Sequence, residues 1–336
     1  MASVALSEIE AARRIIAETA VATPLVPSPH LSSLAGREFL LKLEIVQPMG
    51  AFKLRGAANA VMRLPEGTAG VTCCSTGNHG RGVAYAARRR GLRAVICMSS
   101  LVPQTKIDGI RALGAEVQIV GRSQDEAMAH SRRLVVDEGL VEISPFDDPA
   151  VIAGQGTIGL ELLEQCPDLA TVLVPLSGGG LAGGIAAAIK AVKPSVRIIG
   201  ISMDRGGAMH ASIAAGRPVE VEEVASLADS LGGGIGLDNR FSFELCRTLL
   251  DEVVLVGEAE IYRALQTVYY EDRLVCEGAC VVGIAALQAG KLAPSPGPIA
   301  TIITGRNLDM KIHADIMQGR DVVLGDLTIN GQPYHA

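Results

Sequence analysis

The pattern that most constrains this chain is a short apolar strand that runs through a glycine-bearing loop into a helix, and it occurs twice. AGVTCCSTGNHGRGVAYAARRRG (69–91) and TVLVPLSGGGLAGGIAAAIK (171–190) both carry it. A strand with no polar alternation is buried on both faces, so helices must cover both sides of its sheet, which predicts a parallel, doubly wound α/β fold. FLLKLEIVQ (39–47) reads as a further strand, ahead of a helix that begins near GAANAVMRL (56–64). LRAVICMS and IRALGAEVQIVG continue the alternation. Helical patterns then flank a proline-bearing loop between DEAMAHSRRLVVDEG and FDDPAVIAGQGTIGLELLEQ, and VRIIGISM returns to strand. Two glycine-loop units predict two lobes, with residues 70–147 inserted into a larger lobe of 1–69 plus 148–336.

Composition excludes several functions. A formal charge of −6, no tryptophan and 3% aromatic residues leave little for tracking phosphates or stacking bases, so no nucleic-acid partner is expected. The basic run RRRGLR (88–93) sits where a helix ends, where cations complement the helix dipole and glycine caps the chain. Seven cysteines show neither a CxxC pair nor a zinc spacing, which fits reduced thiols in the cytoplasm and no metal site. The pattern Ser7-Glu8-Ile9-Glu10 predicts a capping box and an amphipathic helix to Ala20 rather than an export signal. No apolar run reaches the roughly 18 residues of a spanning helix, so no membrane partner is expected.

LSGGGLAGGIAAAIK (176–190) opens a helix directly after a strand, which makes its amides a ready anion site. Gly178, Gly180 and Gly183 spell GxGxxG, and Asp204 follows near the end of the next strand, where a dinucleotide site keeps its ribose-binding acid. A Walker loop fails because no Lys-Ser or Lys-Thr follows the glycines. The loop alone leaves a dinucleotide, another phosphate cofactor and a tight-packing turn all open. In QPMGAFKLRGAANAV (47–61), Lys53 lies at a strand-to-helix junction among small and apolar residues. Such a lysine either holds its ammonium in water or, if its pKa is lowered, forms a Schiff base with a carbonyl.

Four motifs occur together in one order: PMGAFKLRGA around Lys53, Ser75-Thr76-Gly77-Asn78-His79-Gly80, the Ser177–Gly180 loop, and Thr304-Gly305-Arg306-Asn307 after the strand ATIIT. With FDDPAVIAGQGTIGLELL (146–163), this order resembles the fold-type II pyridoxal-phosphate enzymes, specifically the serine/threonine dehydratase and serine racemase family. The resemblance spans nearly the whole chain and implies a two-lobed fold, pyridoxal 5'-phosphate as cofactor, a small amino-acid substrate and a homodimer. It makes Lys53 the residue that holds the cofactor aldehyde and moves the α-proton, and it packs Phe52 beside the ring. It assigns Asn78 to the ring hydroxyl, and Ser75, Thr76, Gly77, Asn78 and His79 to the substrate carboxylate. It gives the phosphate to Ser177, Gly178, Gly179, Gly180 and Leu181, and places Thr304 at the pyridine nitrogen.

A neutral hydroxyl at that nitrogen cannot keep it protonated as a carboxylate would, which disfavours a long-lived carbanion and favours prompt expulsion of a β-leaving group. The expected reaction is β-elimination from serine, threonine or 3-hydroxyaspartate to a 2-oxo acid and ammonia. An amino-acid racemase of the same fold is the alternative, and an NAD-dependent oxidoreductase a more distant one. Thr76 is either an N-cap or, by resemblance, a second catalytic group on the opposite face of the substrate. Glu277 in LVCEGACVVG is either a solvated acid or a neighbour of the cofactor ring. His79 reads as structural, and Cys276 and Cys280 as core. Ser202 and Ala208 stand where relatives bind a divalent cation through acids, so that site is in doubt. The chain lacks the regulatory extension that biosynthetic relatives append, so end-product feedback is not expected. SLADSLGGGIGLDNRFSFELCR (226–247) resembles dehydratases linked to hydroxyectoine breakdown, and Arg240 and Arg306 are candidates for a second substrate carboxylate, each with an ordinary surface role as the alternative.

Overall fold

A computed structural model describes residues 4–335 other than 76 and 103. In chain order the strands are β1 Leu25–Pro27, β2 Phe39–Leu43, β3 Val71–Cys74, β4 Ala94–Met98, β5 Glu116–Ile119, β6 Val141–Glu142, β7 Thr171–Pro175, β8 Arg197–Met203, β9 Glu252–Val256, β10 Ile299–Ile303, β11 Val322–Leu324 and β12 Leu327–Ile329. The helices are α1 Leu6–Ile16, α2 Pro29–Ala35, α3 Lys53–Met62, α4 Asn78–Arg90, α5 Gln104–Arg111, α6 Gln124–Glu138, α7 Pro149–Gln165, α8 Gly180–Val192, α9 Ala208–Ala215, α10 Ser242–Leu249, α11 Glu258–Asp272, α12 Val282–Gln288 and α13 Met310–Met317.

The strands form a six-stranded sheet in the order β1-β2-β10-β7-β8-β9, a four-stranded sheet in the order β5-β4-β3-β6, and the hairpin β11-β12. Within the larger sheet all neighbours are parallel except β1, which runs antiparallel to β2. The four-stranded sheet is parallel throughout. Every residue of β2, β4, β7 and β10 is buried, as expected for strands covered on both faces.

Glycine lets the central helices approach closely. A β-carbon on Gly184 of α8 would lie 2.4 Å from the Ile152 carbonyl of α7, and one on Gly154 of α7 would lie 2.5 Å from the Arg55 carbonyl of α3. Helices α3, α7 and α8 therefore stack almost backbone to backbone, and α3, which begins with Lys53, has little freedom to shift.

Several boundaries differ from the sequence expectation. Helix α1 is capped at Ala5, not Ser7: the Glu8 carboxylate accepts from Ala5 N at 2.8 Å, and the helix ends at Ile16 rather than Ala20. Ser7 is thus a helical residue, because the reciprocal carboxylate half of a capping box acts without a hydroxyl partner. The strand from Phe39 stops at Leu43 and gives way to a 3-10 turn over Glu44–Val46. Helix α3 starts at Lys53, three residues before Gly56. The basic run closes α4 as expected, with Gly91 in the left-handed conformation at φ 69°.

Candidate functional site

The four sequence motifs all lie where parallel strands end and helices begin. The chain leaves β2 and reaches Lys53 at the start of α3, β3 leads through 75–77 into α4, β7 through 176–179 into α8, and β10 into Thr304. The carboxyl ends of parallel strands are where α/β folds place ligands. Two backbone links stitch the lysine segment to the β10 loop: Ala51 bridges Gly305, and Phe52 N donates to Thr304 O at 2.9 Å.

Lys53 is half-buried as a residue, but its amine is enclosed. Nζ donates to Pro145 O at 2.6 Å and lies 5.4 Å from the centroid of the Phe52 ring. Burial lowers the amine's pKa from 10.5 to about 8. Capture of an aldehyde needs the neutral amine, so its rate in cofactor-free protein is expected to climb about tenfold between pH 7 and pH 9 and then level off. Reconstitution kinetics across that range check this; a rate still rising tenfold per unit above pH 9 would mean an ordinary, solvated lysine.

Asn78, the first residue of α4, crosses to the larger sheet. Its Nδ2 donates to both oxygens of Glu277 at 3.0 Å, and its Oδ1 accepts from Asn307 Nδ2 at 2.7 Å. Glu277 also accepts from Asn307 N at 2.9 Å and from Ser230 Oγ at 3.1 Å. Burial raises the Glu277 pKa, and the donors of Asn78, Asn307 and Ser230 oppose that rise. The solvated-acid reading of Glu277 is therefore excluded, since only 4% of the residue is exposed. His79 is a neutral structural histidine: its ring nitrogen Nε2 lies 2.7 Å from Ile143 O, and burial, reinforced by the nearby Lys53 charge, lowers its pKa to about 3. Ser75 and Gly77 precede α4, with Gly77 N donating to Ser75 Oγ at 3.4 Å, whereas Thr76 lies outside the described residues.

The second glycine loop is shaped by contacts that only glycine permits. Gly179 caps α8 at φ 88°, and a β-carbon on Gly178 would lie 2.3 Å from the Phe146 ring. Ser242 Oγ donates to Gly178 O at 2.6 Å, and the Asp147 carboxylate accepts from the backbone N–H of Arg240, Phe241 and Ser242, so the start of α10 is locked behind the loop. Ser177 is half-buried and Leu181 buried. Thr304 is buried, and Cys280 Sγ lies 3.2 Å from its hydroxyl. Cys280 thus packs in the core, as expected, but against a candidate site residue.

Other candidates fall elsewhere. Asp204 lines an open cavity of about 500 Å³ with Arg205, His210 and Glu222, none of them a candidate site residue. Arg240 and Arg306 are exposed and, among the described residues, their guanidinium groups form no ion pair. No cluster of three or more His, Cys, Asp or Glu among the described residues is placed to hold a metal. No described helix is long and apolar enough to cross a membrane. Sequence reasoning gave no role to Pro145, Asp147, Ser230 or Asn307, whose contacts here are made through backbone atoms or across 47 to 229 residues.

Residues 16–305 match the family model described as pyridoxal-phosphate dependent enzyme, and the chain belongs to that family. It is 54% identical over 321 residues to a putative threonine dehydratase of Sinorhizobium fredii, covering 95% of this chain and 97% of that one. Its fold superposes on the processed form of threonine deaminase isoform 2 from Solanum lycopersicum with a TM-score of 0.86 at 36% identity, covering 93% and 86% of the two chains. It superposes on maize serine racemase with a TM-score of 0.87 at 32% identity, covering 93% and 95%. Membership gives pyridoxal phosphate rather than a dinucleotide as the cofactor, and the donor set fits that group. The helix N-terminus and a loop narrowed to glycine suit a phosphate, while an enclosed amine with a pKa near 8 suits an aldehyde.

Proposed function

We propose that the protein is a pyridoxal-phosphate-dependent ammonia-lyase that eliminates the hydroxyl of a β-hydroxy amino acid of the serine, threonine or 3-hydroxyaspartate type, giving a 2-oxo acid and ammonia. The observation that carries this reading is the pairing of an enclosed Lys53 amine with a buried Thr304 whose hydroxyl meets a thiol, not a carboxylate. The bound cofactor supplies the electron sink for the pair left on Cα when its proton departs.

Lys53 takes that proton, and burial suits its amine to the task because a base works best with a pKa near the operating pH. The segment from Ser75 to His79, with its backbone amides leading into α4, holds the substrate carboxylate. The Ser177–Leu181 loop and the start of α8 hold the phosphate. Asn78 presents its amide to the ring hydroxyl, with its orientation set by Asn307 on one side and Glu277 on the other. Thr304 faces the ring nitrogen without protonating it. As the Cβ–O bond breaks, hydroxide leaves and takes up a proton to become water. The enamine product then hydrolyses to the 2-oxo acid and ammonia.

The same reading takes the enzyme as a cytoplasmic homodimer with a lobe of residues 70–147 that closes over the substrate. The separate lobe is supported by a four-stranded sheet drawn wholly from residues 71–142, and its facing the larger one by the Asn78–Glu277 hydrogen bond. The purified protein is expected to be yellow. Incubated with L-serine, L-threonine and both 3-hydroxyaspartate diastereomers, it is expected to release ammonia and 2-oxo acid in equal amounts from at least one of them. Fast formation of the D-isomer without ammonia would make it a racemase instead.

A further inference from the structure

We infer that Cys280 is a positioning residue for the elimination: its thiol donates to the Thr304 hydroxyl and so frees the hydroxyl proton for the ring nitrogen. The inference rests on the proposed placement of Thr304 at that nitrogen.

Cys280 closes the 3-10 turn Gly278–Cys280, which begins directly after Glu277, and it is fully buried. Four groups surround its sulfur: Gly305 N donates to it at 3.1 Å, Gly305 O lies at 3.0 Å, Thr304 Oγ1 at 3.2 Å, and the Cys276 thiol is a hydrogen-bonding neighbour. A thiol has one proton, so it serves one acceptor at a time, and the choice between the two oxygens decides what Thr304 can do. The Gly305 carbonyl already accepts from Glu277 N at 3.0 Å and loses little if the thiol turns away. Thr304 Oγ1 has no other hydrogen-bond partner among the described residues.

Two proton arrangements follow. If the thiol donates to Gly305 O, Thr304 must give its own proton to the sulfur and has none for a ligand. If the thiol donates to Thr304, the hydroxyl proton is free to point at an unprotonated ring nitrogen, and a hydroxyl that accepts one hydrogen bond is a better donor in the next. The backbone around the pair is fixed, because Phe52 N holds Thr304 O and Cys280 N donates to Glu277 O. Cys280 therefore sets both the position and the polarity of the Thr304 hydroxyl, and the same short turn also carries Glu277, which holds Asn78.

The test compares Cys280→Ala, Cys280→Ser and Thr304→Ala with the unaltered holoenzyme. The readouts are the visible absorption spectrum, the dissociation constant for pyridoxal phosphate, and kcat and KM for elimination. Cys280→Ala is expected to shift the spectrum in the same direction as Thr304→Ala, to weaken cofactor binding and to lower kcat, each by roughly two- to tenfold, the worth of one hydrogen bond, with KM unchanged. Cys280→Ser keeps a donor and an acceptor and is expected to restore spectrum and kcat. If Thr304→Ala shifts the spectrum while Cys280→Ala leaves it unchanged, Cys280 only fills space and the inference fails, though Thr304 keeps its place. If neither shifts it, the placement of Thr304 fails and takes the inference with it. Should Cys280→Ala not fold, Cys280→Ser decides alone: a spectrum matching that of Thr304→Ala overturns the inference.

Discussion

Lys53→Ala is expected to lose turnover by about 10⁴-fold or more while the fold is kept, because the proposed mechanism uses one side chain both as the anchor for the cofactor aldehyde and as the base for the α-proton. The structural cost is small. The substitution leaves one carbonyl, Pro145 O, without its 2.6 Å donor, worth about 1 kcal/mol, and it removes a cation that burial already disfavours. Far-ultraviolet circular dichroism and the melting temperature are therefore expected to stay close to those of the unaltered protein, while the yellow colour is lost after dialysis. Lys53→Arg separates charge from chemistry: a guanidinium stays protonated and cannot attack a carbonyl, so it is expected to be as inactive as alanine. Turnover above about 1% in either variant would mean that another amine does the work.

Lys53 was legible because it sits in a local motif; much of what surrounds it was not. The strands and both glycine loops show in the sequence because uninterrupted apolar runs and glycine clusters are local signals. The same holds for the Arg88–Gly91 helix end, where Gly91 takes the left-handed cap conformation. The start of α3 was misplaced because Phe52, which precedes it, is held by Thr304 O from a strand more than 240 residues later, and no periodicity records that bond. Asn307 was visible in TGRN, but its bond to Asn78 spans 229 residues. Pro145 contributes only a carbonyl, which every residue has. Cys280 looked like core and is core; what the sequence does not show is which hydroxyl a buried thiol touches.

Arg55 lies two residues after Lys53 on α3, and Arg55→Ala is expected to cost about 3–5 kcal/mol, a large part of the roughly 5–15 kcal/mol that holds a typical domain folded. Arg55 is 1% exposed, and its guanidinium grips two buried carboxylates: Glu44 through Nε and Nη2 at 2.8 Å each, and Glu161 through Nη1 at 2.6 Å and Nη2 at 2.9 Å. Lys42 Nζ joins Glu161 at 2.5 Å and is held by Thr23 O and Gln165 Oε1, so two cations balance two anions with their donors directed at partners. Burial works against the charge of Glu161, but Arg55 and Lys42 win and hold its pKa below the ordinary value. In the unaltered protein Glu161 thus adds stability above the usual carboxylate range, and this is lost as pH falls through its lowered pKa. Without Arg55 only Lys42 faces the two buried anions, so the cluster keeps one uncompensated negative charge, which burial disfavours and a proton relieves. The sign then reverses: the penalty is complete while the cluster holds no extra proton and is relieved as pH falls and one is taken up. The stability gap between the two proteins is therefore expected to narrow from pH 7.5 towards pH 5.5 in denaturant titrations. Cofactor affinity is expected to fall with stability, since Arg55 pins the first turn of the helix that carries Lys53. A gap independent of pH would mean that the carboxylates escape to water when Arg55 is gone, and that packing, not charge, fixes the start of α3.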